Sequence, residues 1–331
     1  MVSPRRAGPG SEADHADPVS ADAECRPGPG RRIMMSVSPR PNWKADLALV
    51  FVVFIWGATF VLVKDALDDV STLLFLALRF SLASVALALA FTGRYTGLSH
   101  VRRSLTGGFL AGLCLFCGYF FQTVGLRYTS ASKSAFITAL SIVMVPLLVS
   151  LVHRNVPHLA EVLGVALATI GLGLMTLERE SLSFKFGELL TVVCALGFAV
   201  HIVVLGHFSA KGSLELLSLG QVTTAAVIAL STFWWAEVPH VRWSPGLLIA
   251  LAVTGLLATA LAFSVQTWAQ RHTSATRTAL IIALEPVFAW ITSYLVAGER
   301  LSARAVSGGI LILSGVVLAE LKPTWRRGHP L

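Results

Sequence analysis

The chain has 331 residues, of which 55% are apolar and 13% charged, and a formal net charge of +8. A soluble domain carries about a quarter charged residues, so this chain lacks the charge to cover its own surface in water. Its apolar residues come in long blocks rather than at the period of a strand or a surface helix, which argues against two soluble domains of ordinary pattern.

Residues 1–42 are rich in Pro, Gly, Arg and Asp and have no apolar periodicity. They read as a disordered cytoplasmic tail. No apolar core or cleavage pattern marks a signal peptide there. Met34 and Met35 stand just before Pro39-Arg40-Pro41-Asn42-Trp43-Lys44, a juxtamembrane anchor. The tail therefore has two equal readings, a native segment or an artefact of start-site assignment.

About 20 apolar residues cross a bilayer core, and in lipid the backbone must satisfy its own hydrogen bonds. Each apolar block is thus expected to be a helix. The first five are Ala45–Lys64, Ser71–Phe91, Ser104–Gly125, Ser130–Val152 and Pro157–Leu177. The next five are Phe186–Gly206, Ser213–Trp235, Pro245–Gln270, Ser274–Ala297 and Ser302–Leu321. Residues 323–331 form a second tail. The connections are too short for a soluble domain. Gly108 with Gly112, and Gly308 and Gly309 with Gly315, supply small residues for close helix approach in lipid.

Basic residues favour the cytoplasmic side. With ten spans and a cytoplasmic N-terminus, 17 Lys and Arg fall inside and eight outside, with Arg79 alone inside a span. Both termini are therefore expected in the cytoplasm of a plasma-membrane protein. The positive charge reflects topology, and no nucleic-acid partner is expected.

The chain also repeats itself. Arg127-Tyr-Thr-Ser-Ala-Ser-Lys-Ser-Ala135 matches Arg271-His-Thr-Ser-Ala-Thr-Arg-Thr-Ala279 at an offset of 144, with 11 identities over 26 ungapped positions. The same offset pairs Gln122 with Gln266, Gly164 with Gly308, and Gly171 with Gly315. Two repeats follow, 43–180 and 181–322. Five spans per repeat is an odd number, so the second must enter from the opposite side. The expected fold is an all-α polytopic membrane protein, ten transmembrane helices as two inverted five-helix repeats. Inverted repeats are the common design of secondary transporters, whose site lies between the halves. Duplication can also simply build a stable bundle.

Trp56-Gly57-Ala58-Thr59-Phe60, and Leu284-Glu285-Pro286-Val287-Phe288-Ala289 followed by Gly298-Glu299-Arg300-Leu301 and Gly308, carry a resemblance. They are similar to signatures of EamA-type members of the drug/metabolite transporter superfamily, from Asp46 to about Leu321. The resemblance implies ten helices, cytoplasmic ends, a cavity between five-helix halves, and movement of small metabolites, amino acids or drugs. The first repeat departs from it, with Ser141-Ile142 where the second has Glu285-Pro286.

Glu285 lies mid-span, where a charge costs about 2.5–3.5 kcal/mol on insertion scales. It is expected to face the interior or to carry a proton, either as a proton or amine site or as a packing carboxyl beside a kink. Pro286 and Pro146 each free a backbone carbonyl, four residues out of repeat register. Arg79 is a candidate partner for Glu285 or for an anionic group, or a structural clamp; its counterpart is Gln221. His201 is a titratable or a packing histidine. Gln122 and Gln266 line the cavity or join helices. Trp56, Tyr119, Phe121, Trp290 and Tyr294 are candidates for aromatic walls, with packing as the plain alternative. Lys133 and Arg277, repeat mates at span starts, either snorkel to headgroups or stand at the cavity mouth.

Cys114-x-x-Cys117 sits in an apolar span without further ligands, so no metal or other cofactor is expected. With no phosphate-binding glycine loop either, the expected function is a gradient-driven secondary transporter, with export the expected direction and protons a candidate coupling ion. A membrane-embedded enzyme, a receptor and a passive pore are the alternatives; three scattered ionisable groups specify no reaction.

Overall fold

The computed structural model describes residues 42–93, 101–129, 131–154, 157, 159–176, 186–297 and 303–320. Residues 1–41 of the expected first tail, the whole of the second tail and the Gly298–Leu301 signature lie outside the described residues, as do the side chains of Lys133, Trp290 and Tyr294.

The named elements are helices, with an isolated β-bridge between Val70 and Val241 among the connections: α1 Trp43–Ala66, α2 Thr72–Ala90, α3 Val101–Tyr128, α4 Ala131–Ala139, α5 Ser141–His153, α6 Leu159–Thr176, α7 Phe186–Ser209 and α8 Leu214–Ala236. Then come α9 Pro245–Ala252, a π-helical segment Val253–Leu261, α10 Ala262–Ala269, α11 Ala275–Ile282, α12 Glu285–Ala297 and α13 Ala303–Glu320. Among the described residues, six helical runs are long and apolar enough to cross a membrane: α1, α2, α3, α7, α8 and Pro245–Ala269. Short polar side chains start several helices. Asn42, Ser213, Ser244 and Ser274 accept backbone N–H groups in the first turns of α1, α8, α9 and α11, each satisfying a donor the helix cannot.

Burial follows the logic of lipid. Phe51, Leu89, Phe109, Leu151 and Ile249 are exposed on the perimeter, whereas Arg79, Gln122, His201, Gln221, Gln266 and Glu285 are all buried. A polar interior inside an apolar rim suits a bilayer and not water. The chain is an integral membrane protein.

Two blocks read as single helices are instead broken. In the second repeat Pro286 has no N–H for the carbonyl of Ile282, and the chain passes Ala283–Leu284 as a tight turn in which Leu284 N–H bonds Ile281 O at 3.0 Å. In the first repeat Leu140 N–H bonds Ile137 O at 3.1 Å, six residues ahead of Pro146, so no proline accounts for that break. Leu140 and Leu284 are repeat mates. The interruptions are in register although the prolines are not.

Glycines set the closest approaches. A Cβ on Gly171 of α6 would lie 2.5 Å from Gly308 O of α13, and one on Gly315 would lie 2.5 Å from Gly164 O. The partner number rises as the first falls, so α6 and α13 run antiparallel. By the same reading Gly108 against Gly220 and Gly112 against Thr224 make α3 and α8 parallel. The two broken helices cross, α4 against α12 and α5 against α11.

Candidate functional site

Where α1, α2, α3, α7, α10 and the two broken helices converge there is a cavity of about 60 Å³. That is room for a handful of waters. Its walls come in repeat-related pairs. An offset of 142 relates Trp56 to Phe198 and Thr59 to His201; the offset of 144 relates Tyr119 to Phe263, Gln122 to Gln266, and Ser141 to Glu285. The turns at Leu140 and Leu284 put Ser141 and Glu285 at the first residues of α5 and α12, facing the cavity from both halves. A carboxylate at a helix start also meets the positive end of the helix dipole.

Among the candidates, Trp56, Arg79, Tyr119, Gln122, His201, Gln266 and Glu285 share this one cavity. Pro286 is buried just behind Glu285 and off the wall. Arg277 is far from it: its guanidinium donates to both carboxylate oxygens of Asp46, at 3.0 and 2.6 Å, tying α11 to the first turn of α1. The backbone of Lys133 places it in the first turn of α4, and nothing further is described of it or of the Trp290 ring.

The polar groups differ in how they are held. Arg79 does not meet Glu285. Its Nε–H donates to Thr259 Oγ1 at 2.8 Å, one Nη–H donates to Tyr119 Oη at 3.1 Å, and the guanidinium lies 4.3 Å from the Tyr119 ring centre. The Trp56 indole N–H donates to Ala258 O at 2.8 Å. Both partners lie on the π-helical segment, whose wider turn redirects backbone groups; Thr259 Oγ1 in turn reaches back five residues to Thr254 O. His201 pairs with Gln221 at 2.8 Å, and Gln221 donates to Thr267 at 3.0 Å. Gln122 donates to Thr138 at 3.3 Å. Among the described residues Gln266 Oε1 has no hydrogen-bond partner, and no hydrogen bond or ion pair holds the carboxyl of the buried Glu285. An unmet buried carboxyl is expensive, and such groups are where function is sought.

Phe198, Phe263, Thr59 and Ser141 are wall residues that motif reading did not propose, and Thr259, off the wall, is the unproposed residue that holds Arg79. The repeat offset finds most of them, starting from Tyr119, Trp56, His201 and Glu285. Thr259 had no sequence signal, because the π-helical turn that presents it has no counterpart in α3.

The repeated polar string also finds its use. Arg127 donates to Val70 O at 2.9 Å and to Thr72 Oγ1 at 2.6 Å, and its mate Arg271 donates to Gly212 O. Each arginine pins the corner between the first two helices of its own half. At the Arg127 end, Ser71 N–H bonds His240 O at 3.0 Å, Glu237 Oε1 caps Leu74 N–H at 2.9 Å, and Asp69 accepts from Arg242 and Ser244. Those hydrogen bonds, with Ser244 contributing most, hold the Asp69 carboxyl below the ordinary carboxylate range.

The EamA-like transporter family matches residues 43–177 and 185–321. A protein of Archaeoglobus fulgidus named as an uncharacterized transporter is 34% identical over 278 residues, 84% of this chain and 86% of its own length. The uncharacterized transporter YoaV of Bacillus subtilis is 23% identical, over 83% of this chain and 96% of its own. A solved crystal structure superposes with a TM-score of 0.72 at 18% identity, covering 85% of this chain and 98% of its own.

Proposed function

This chain belongs to the EamA-like transporter family and is a membrane transporter, and we propose that it is a secondary transporter exporting small organic solutes through the central cavity by alternating access. The observation that carries this reading is a polar cavity walled by repeat mates from both halves, with a buried carboxyl, Glu285, on its wall and without a partner among the described residues. We read the fold as ten spans in two inverted halves, 43–180 and 181–322, with both termini cytoplasmic in the plasma membrane. The antiparallel packing of α6 on α13 through Gly164, Gly171, Gly308 and Gly315 supports the inversion, since repeat-equivalent helices run in opposite senses there. Halves of opposite sense can exchange conformations and open one site to either side in turn. The breaks at Leu140 and Leu284 are natural hinges for that exchange, with freed backbone beside the cavity.

Glu285 is the proton-coupling group in this reading, and no metal, cofactor or nucleic acid takes part. The decisive measurement is solute flux into proteoliposomes with and without a pH gradient. Saturable flux of at least one solute is expected; no saturable flux across a broad metabolite panel refutes transport through this cavity. Glu285→Gln is expected to lower gradient-driven flux far more than solute–solute exchange. Equal effects on both would end the coupling role while leaving transport in place.

A further inference from the structure

We infer that Arg79 is an anion subsite of the cavity, so that the transported solute presents a carboxylate, or a like oxyanion, to its guanidinium. This rests on the cavity being the solute path. Arg79 lies within α2, is 3% exposed, and reaches the cavity wall. A guanidinium has five N–H donors. Arg79 spends one on Thr259 and one on Tyr119, both neutral acceptors, and the other three have no protein acceptor among the described residues. No acidic side chain is paired with it there; the described ion pairs are Asp46 with Arg277 and Asp69 with Arg242.

A buried cation without a counter-charge is costly, and a merely structural arginine would be expected to have found a carboxylate or more carbonyls. Here the neutral partners fix the plane of the group instead. Nε–H is tied to Thr259, and the Tyr119 ring lies against the guanidinium at 4.3 Å, so the unspent edge is held in one direction. A planar fork presented in this way matches an oxyanion. Thr259 meets Arg79 from the π-helical segment, and the counterpart of Arg79 in the other half, Gln221, is consumed by His201 and Thr267. The charge is therefore one-sided, as is Glu285. Thr259 is a positioning residue, acting through Arg79.

The two cavity charges make opposite predictions. Glu285 shares the wall with Arg79 and repels an anion whenever it is ionised. Neutralising Arg79 weakens anion binding, and neutralising Glu285 strengthens it. General damage to the cavity weakens both.

The test uses the purified full-length chain. Acetate, succinate, benzoate and 3-phenylpropionate are each titrated by calorimetry beside the corresponding amide. At least one carboxylate is expected to bind more tightly than its amide. Arg79→Gln should weaken that carboxylate about tenfold to a hundredfold, the range for hydrogen bonds to charged groups, and leave the amide unmoved. Arg79→Lys should recover part of the loss, Thr259→Val should lose part of it, and Glu285→Gln should bind the carboxylate more tightly. Amides binding as well as their acids, or an Arg79→Gln variant that holds its thermal transition and binds the carboxylate unchanged, overturns the anion subsite. Proteoliposome flux of an uncharged or cationic solute that survives Arg79→Gln overturns it too, while leaving the transporter reading intact.

Discussion

The glycine contact between α6 and α13 yields a quantitative expectation. A methyl group added at Gly171 would stand 2.5 Å from Gly308 O, 2.9 Å from Ile312 N and 3.0 Å from Ile312 Cγ1. Carbon–oxygen contacts settle near 3.3–3.6 Å, so the helices must separate by roughly 1 Å at that point. The obstacle is backbone, which cannot rotate away as a side chain would. Overpacking of this kind costs about 1–3 kcal/mol, and the better helix propensity of Ala returns roughly 0.5–1 kcal/mol. Gly171→Ala should therefore destabilise by up to about 2.5 kcal/mol, with a middle value of about 1 kcal/mol, read as a lowered thermal transition in detergent. Gly309→Ala, on the facing helix α13, is the control: its nearest neighbour would be Val287 Cγ2 at 4.0 Å, so it should be neutral or slightly stabilising. Gly315→Ala meets Gly164 O at the same 2.5 Å and should match Gly171→Ala within about 0.5 kcal/mol. The double variant should lose less than the sum, because the first substitution has already parted the interface. If Gly171→Ala is as stable as Gly309→Ala, the close packing and the antiparallel register read from it are wrong.

Two further outcomes follow from other contacts. A Cβ on Gly57 would lie 2.7 Å from Glu285 O and 2.8 Å from Ala289 N, so Gly57→Ala should push α1 off α12 beside the cavity and depress transport more than it depresses thermal stability; equal flux per folded molecule would refute this. Asp69, outside the spans, is stabilised as a carboxylate by Ser244 and Arg242. Its folded value lies below its unfolded value, so its contribution is present at neutral pH and is lost as pH falls below about 4. Asp69→Asn should unfold at a lower temperature than the wild type at pH 7, and the two should converge near pH 3; a gap independent of pH would refute the role.

Some of this was legible in the chain alone. Apolar block length announced membrane helices, because a bilayer of fixed thickness demands about 20 apolar residues. The string around Arg127 and Arg271 announced the duplication, although not its purpose, since the accepting carbonyls of Val70 and Gly212 carry no sequence signature. Seven polar and aromatic candidates were readable because a buried polar group in a span is rare enough to stand out, and the structure brings them to one cavity.

Their pairing was not readable. Arg79 and Glu285 looked like natural partners by charge, but Arg79 turns to Thr259 and Tyr119. Arg277 read as a snorkelling or cavity-mouth residue, and the structure has it gripping Asp46. The prolines suggested hinges out of register, yet the breaks fall at Leu140 and Leu284, repeat mates. By itself, the sequence determined that the chain lives in lipid, that it is duplicated, and which side chains are too costly to bury without a reason. Those conclusions depend on transfer energies and counts, which belong to residues singly. Tertiary structure alone decided which of those side chains are satisfied and which are left facing the cavity. Hydrogen bonds reach only about 3 Å, and a π-helical turn or a helix break redirects a side chain by more than that.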